Sequence, residues 1–328
     1  MTGNPPQTDG VWLRPSTDRP AEPRWGHADG IQVGLHPLPG PRGLLRLYTP
    51  YLGHHRLRLL NFVAIEPIPA GERLRGFSEL ERSELDDAPG KRFWTSDQQG
   101  DVAPSDPQSP ARGVVADSDG TESLTVWVHA ERFANGAEIS VRLRFFADRP
   151  REVSLAAFRR EGSVELDHCV LTATMGNFAR LRHLHLRERV VTPAELWLGF
   201  TRTDFTDHGR FGVEELARAP GGGVIVAATP DEEAPQDAVH ADGTAEHWRY
   251  VGQRAAQGWM VPDPSPQLQV LVNGRWAYWA SQSPIPGGVS YENFEILEPF
   301  RDGQEFLYWA DPLDESRWGG PATRSREG

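Results

Sequence analysis

Hydrophobic positions in this chain recur mostly with a period of two, as in a strand with one buried face. Over 56–66, Leu57, Leu59, Val63 and Ile65 share a face, with Asn61 in the same row. This segment and 43–49 read as two strands joined by a loop that carries His54 and His55. The clearest pattern flanks Asn135-Gly136, a dipeptide suited to tight hairpins because both residues tolerate positive φ. A two-residue turn there joins strands over 124–133 and 137–146. It pairs Val128 with Leu143 and Val126 with Phe145, and adds Ile139 and Val141 to the same face, so the apolar sets coincide. Trp127 then opposes Arg144, and His129 opposes Arg142. A second hairpin is predicted at Asn273-Gly274. It puts Leu268, Val270, Ala277 and Trp279 on one face and Gln269, Leu271, Trp276 and Tyr278 on the other.

Further strands are expected over 152–160, 164–174, 180–187, 223–229, 247–253, 289–298 and 304–309, and a turn or two of helix near 79–86. Short strands without an internal repeat predict an all-β fold, a large antiparallel β-sandwich. Residues 1–24 are polar and Pro-rich and read as a flexible arm, 25–318 as a single sandwich domain, and 319–328 as a flexible tail. The stretch 95–113 reads as a long surface loop, of a length that is either functional or disordered.

Composition narrows the function. The 328 residues are 38% hydrophobic, enough for a large core, and 33 Gly and 28 Pro suit a chain full of turns. A net charge of −12 argues against nucleic acid as a partner, because phosphate backbones select basic surfaces. Lys91 is the only lysine, so nearly all positive charge is arginine, the side chain that grips carboxylates in a bidentate way. Cys169 is the only cysteine, which excludes an internal disulfide and a cysteine-built zinc site. Met1–Gly10 lacks the pattern of a secretion signal, and no apolar run has the length of a membrane span, so a cytoplasmic protein without a membrane partner is expected.

Several constellations carry candidate chemistry. His183 and His185, two apart on a strand, project from one face and would hold a divalent metal if a third ligand converged; the primary expectation is no cofactor. Asn177, Arg180 and His183 could form a polar cluster for a sugar acid at a bulge near Gly176-Asn177. His27 and Asp29 lie in a compact turn, where the aspartate could orient an acid/base histidine or cap its own backbone. In 291–298, alternation sets Glu292 with Phe294 and Ile296, and sets Glu295 beside Tyr291 and Asn293 on a face able to be buried, where a carboxyl can act as acid or base. Trp276 and Tyr278 would form an aromatic platform for sugar rings.

The glutamate-bearing strand from Tyr291, with Phe300, Asp302, Gly303 and Gln304 after it, resembles the aldose-mutarotase-like supersandwich proteins. That resemblance implies a base at Glu295 and an acid at His183 or His185. Polysaccharide lyases and glycoside hydrolases share this architecture, so the resemblance leaves the reaction open.

The expectation is therefore a carbohydrate-active enzyme working by lyase, glycoside hydrolase or epimerase chemistry, on substrates that include uronic-acid-containing glycans. His183, Arg180, Glu66 and Glu295 are its catalytic candidates; Asn177, His185, Trp276, Tyr278, Glu292, Asn293, His27 and Asp29 are its substrate-binding candidates. Hydrolysis needs two carboxyls about 5 Å or about 6.5–9.5 Å apart, and Glu66 with Glu295 is the expected pair. The alternatives are a non-catalytic carbohydrate-binding or structural sandwich and a metal-dependent enzyme using His183 and His185.

Overall fold

A computed structural model describes residues 6–318 except 17–21, 36–41, 54–60, 101, 106–108, 119, 175–179, 220, 238, 241, 243–249 and 279–280. Its strands, in chain order, are β1 (Gln7–Asp9), β2 (Trp12–Arg14), β3 (Arg24–His27), β4 (Gln32–Gly34), β5 (Leu44–Tyr48), β6 (Asn61–Pro69), β7 (Phe93–Ser96), β8 (Val114–Ser118), β9 (Thr121–Ala130), β10 (Ile139–Phe146) and β11 (Glu152–Arg159). There follow β12 (Leu166–Thr174), β13 (Leu181–His185), β14 (Val190–Val191), β15 (Gly209–Gly212), β16 (Ala217–Arg218), β17 (Val224–Pro230), β18 (Ala255–Val261), β19 (Gln269–Arg275), β20 (Ser290–Leu297) and β21 (Glu305–Pro312).

They form two sheets. The first runs β1-β2-β3-β4-β5-β6-β12-β20-β19-β15, and the second β14-β13-β17-β18-β21-β11-β10-β9-β7, with β16 on β17 and β8 on β9. Inward-facing residues of both sheets share one core that includes Trp25, Val63, Ile65, Val126, Val141, Leu171, Leu184, Trp259, Phe294 and Tyr308. This is the expected all-β antiparallel sandwich. Among the described residues no helix is long and apolar enough to cross a membrane.

The first hairpin forms with a shifted register. Val128 lies opposite Val141, Val126 opposite Leu143, Trp127 opposite Arg142 and His129 opposite Ser140. Asn135-Gly136 does not make a two-residue turn. Gly136 N–H donates to Phe133 O, Phe133 N–H donates to Ala137 O, and Gly136 takes a φ of 86°. The loop is thus longer and is closed by a left-handed glycine, while the Asn135 amide is engaged elsewhere, donating to Pro67 O and Leu74 O. A slip of two residues preserves the face each side chain occupies, which is why the apolar faces still coincide.

The second predicted hairpin does not exist. Asn273-Gly274 sits inside β19, which continues to Arg275 and pairs with β20. Val272 faces Phe294 while Gly274 faces Tyr291, so Glu292 and Asn293 together oppose Asn273 in a β-bulge. The Asn273 Oδ1 accepts the Asn293 N–H (3.1 Å), and Gly274 N–H donates to Thr206 Oγ1 (2.8 Å). A side chain at 274 would collide with Val289 and Trp197. The glycine therefore serves close packing rather than a turn.

Four smaller expectations also change. Residues 7–14, read as arm, form the β1–β2 hairpin at the sheet edge, with Trp12 buried. The 79–86 segment holds turns, not helix, and α1 is a single turn at Pro193–Leu196. The stretch read as a loop from residue 95 begins inside β7 and is tied down by Trp94 Nε1–H to Val102 O and Trp25 Nε1–H to Ala111 O. The predicted 247–253 strand is not formed over 250–253; its first three residues lie outside the described ones.

Candidate functional site

Alternation sorts the central strands of the first sheet. Val63, Ile65, Leu171, Ala173, Val270, Val272, Phe294 and Ile296 enter the core, so Glu66, Thr172, Glu295 and Leu271 face outward. Residues 76–78 run beside β6, with Gly76 N–H on Pro67 O (2.9 Å) and Ser78 N–H on Ile65 O (3.3 Å). This pairing sets Phe77 opposite Glu66 on the outer face, with Arg75 and Glu79 in the same row. On β15, Phe211 is in the core, which leaves His208 and Arg210 outward.

One guanidinium organises this face. Arg75 Nη2 pairs with Glu66 and with Glu295 (2.9 Å) and donates to Thr172 Oγ1 (3.1 Å). His208 Nε2 lies 3.1 Å from Glu295 Oε1. Two contacts of about 3 Å to a single nitrogen keep the nearest oxygens of Glu66 and Glu295 within about 6 Å of each other. Both glutamates are only 3% exposed, whereas the Arg75 and His208 side chains keep 19% and 32%. Arg75 also lies over the Phe77 ring.

The two carboxyls are displaced in opposite directions. Burial pushes Glu66 up to about 8; Arg75 opposes this, and the charges of Glu79 and Glu295 reinforce it. Burial also pushes Glu295 up, but the hydrogen bond from His208 and the charge of Arg75 outweigh it and hold this carboxyl below its ordinary value. Glu79 is raised, again by burial first. Three carboxyls cannot all ionise around one guanidinium in a desolvated setting: burial favours the protonated forms of Glu66 and Glu79, while His208 and Arg75 favour the ionised form of Glu295.

The bulge at Glu292-Asn293 has a second effect. Simple alternation sets Tyr291 beside Glu295, but the extra residue reverses the parity. Tyr291 joins Phe294 in the core, and its hydroxyl donates to Val191 O. Glu292 is half-buried, and its burial, opposed by Arg275, lifts it to about 7.

The remaining candidates lie apart. His183 and His185 are on β13 in the second sheet, where Leu184 enters the core and the histidines face out. His185 Nε2 contacts Thr229 Oγ1 (2.9 Å), its ring packs on Trp318, and burial pushes it down to about 4. Arg180, at a φ of 55°, pairs with Asp231 and Glu232. His183, Arg180 and Glu295 are not in contact: the histidines lie on β13 of the second sheet and Glu295 on β20 of the first, each facing away from the shared core. The two strands do adjoin at their starts, where Arg182 Nε–H donates to Val289 O and the Ser290 hydroxyl to Leu181 O, but neither histidine touches Glu295. Among the described residues no three His, Cys, Asp or Glu side chains are placed to hold a metal ion.

His27 and Asp29 form a turn by neither expected bond: the histidine ring, not the aspartate side chain, accepts the backbone N–H. Asp29 N–H donates to His27 Nδ1 (3.1 Å), and burial, against the charge of Asp29, holds His27 below its ordinary value. They sit three strands from β6. Trp276 is half-buried, and Tyr278 is buried with its hydroxyl 3.2 Å from His240 Nδ1. Because β19 ends at Arg275, these rings do not share a strand face with Gln269 as the hairpin required. Asn177, His54, His55 and Trp279 lie outside the described residues.

Sequence reasoning found Glu66 and Glu295 but missed Arg75, Thr172, Glu79 and His208. Arg75 and Glu79 belong to a stretch with no periodic pattern, and His208 precedes a four-residue strand too short to signal itself. Only the pairing of β6, β12, β20, β19 and β15 brings these groups together. No protein-family model matches the chain, and no curated protein is detectably similar to it in sequence.

Proposed function

We propose that the protein is a carbohydrate-active enzyme whose acid and base are Glu66 and Glu295. The observation that carries this reading is a pair of neighbouring carboxyls, held by one arginine, with their proton affinities pushed apart. Such a split assigns roles: Glu66 keeps a proton to give, and Glu295 is ionised near neutral pH. A separation within about 6 Å matches glycoside hydrolysis with retention better than inversion. Glu295 would attack the anomeric carbon as the C–O bond to the leaving group breaks, and Glu66 would protonate the departing oxygen. Water, giving its proton back to Glu66, would then release the sugar from Glu295. Arg75 and His208 position Glu295 and hold it ionised.

The test uses a panel of aryl glycosides. Glu295→Gln and Glu66→Gln should each lower kcat at least about a hundredfold, and azide should restore turnover in Glu295→Gly by taking the place of the missing carboxylate. Wild-type levels of turnover in both Gln variants would end this assignment.

The low exposure of both glutamates favours a second reading: a non-catalytic carbohydrate-binding sandwich in which the same ion network only ties 75–79 to the sheet. On that reading the Gln variants change stability and leave glycan binding intact.

A further inference from the structure

The carboxyl of Glu292 is half-buried, and among the described residues it makes no hydrogen bond or ion pair. The side-chain amide of Asn293 is in the same condition. Neither side chain is sealed from solvent, so the two stand side by side as free hydrogen-bonding groups open to a ligand. The fold does not use them. The bulge is pinned by the Asn273 side chain through the Asn293 backbone, not by either of these side chains. The charge of Arg275 acts on Glu292, while its guanidinium donates to Ala277 O (3.2 Å) and Tyr278 O (3.4 Å) and lies over the Phe205 ring.

A bulge re-aims side chains at the point where it interrupts a ladder. Here it sits three residues, about 10 Å at most, along β20 from Glu295. An amide offers a donor and an acceptor, and a carboxyl offers acceptors when ionised and a donor as well when protonated. Burial brings Glu292 to about 7, so both of its forms are present near neutral pH. A pair of adjacent hydroxyls, each donating and accepting, is the complement of such an edge.

We infer that Glu292 and Asn293 form a recognition edge for neighbouring hydroxyls of a neutral sugar bound beside Glu295. This rests on the carbohydrate reading above and adds the ligand groups that the site recognises.

The experiment is carboxyl footprinting of the full-length protein with a water-soluble carbodiimide and glycine ethyl ester at pH 6, read by peptide mass spectrometry. Glu292 should be modified about tenfold faster than Glu66 and Glu295, which react only through local opening. Methyl glycosides of glucose, galactose and mannose serve as probes, with glycerol as control. At least one glycoside should slow labelling of Glu292 several-fold where glycerol does not, and Asn293→Ala should abolish that protection while leaving unliganded labelling unchanged. The inference is overturned if Glu292 labels no faster than Glu66, if no glycoside protects it, or if protection persists in Asn293→Ala. Protection without any Glu66- or Glu295-dependent turnover would refute the enzyme and keep the recognition edge; turnover without protection would do the reverse.

Discussion

On the outer face of the first sheet, Arg75 stands among Glu66, Glu79 and Glu295. On the outer face of the second, His185 lies against Trp318 beside a patch of Ala217, Ile225, Ala227, Ala256 and Trp309. Both faces bury ionisable groups, and burial acts on both by disfavouring charge. It raises the acid Glu66 and lowers the base His185, so each is pushed towards its neutral form. The difference lies in what surrounds them. The first face supplies a cation and two further carboxyls, which favours the protonated form of one acid and the ionised form of another within reach of it. The second supplies aromatic and alanine surface together with the charges of His183 and Arg254, all of which favour a neutral His185, bonded to a threonine. Only the first arrangement separates a proton donor from a base.

The contrast also shapes stability against pH. Glu66 has a folded value above its unfolded one, so the folded chain holds more protons between about 4.5 and about 8 and loses stability as pH rises through that window. His185 has a folded value below its unfolded one, so stability is lost as pH falls from about 6.5 to about 4.

The largest test of the contrast is Arg75→Met. Removing the cation strands Glu66 and Glu295, and urea denaturation at pH 8 should show a loss of about 3–5 kcal/mol. The loss should shrink at pH 5, where the carboxyls can take up protons; an equal loss at both would mean that packing, not charge, is at stake. Trp318→Ala should lose about 3 kcal/mol by opening the patch on the second sheet. In the same variant the His185 titration followed by NMR should move up towards its ordinary value, and an unmoved value would detach His185 from its apolar cover. Glu66→Gln should flatten the fall in stability from pH 5 to pH 8, a gain of about 1–2 kcal/mol over wild type at pH 8 and none at pH 4. The smallest effect belongs to His183→Ala, half-buried on β13, which should change stability by no more than about 0.5 kcal/mol and leave glycoside turnover unaltered.

The amino-acid sequence by itself determined the β character and most strand positions, because alternation of apolar residues is a local property that each strand carries alone. Strands β5, β10, β11, β12, β17, β20 and β21 lie where the pattern put them, within a few residues. It also marked Glu66 and Glu295 as a pair. The tertiary structure decided what the pair means. The Asn-Gly turns had one local signal and two outcomes, a longer loop at 135–136 and a bulge inside β19 at 273–274, because Asn135 and Asn273 found partners distant in sequence. Which face a side chain occupies can be read from parity until a bulge reverses it, as at Tyr291. Which faces meet cannot be read at all, since His183 and Glu295 look equally polar along the chain and end on different sheets. Arg75 and His208 reach Glu295 from 220 and 87 residues away, and no periodicity spans such distances.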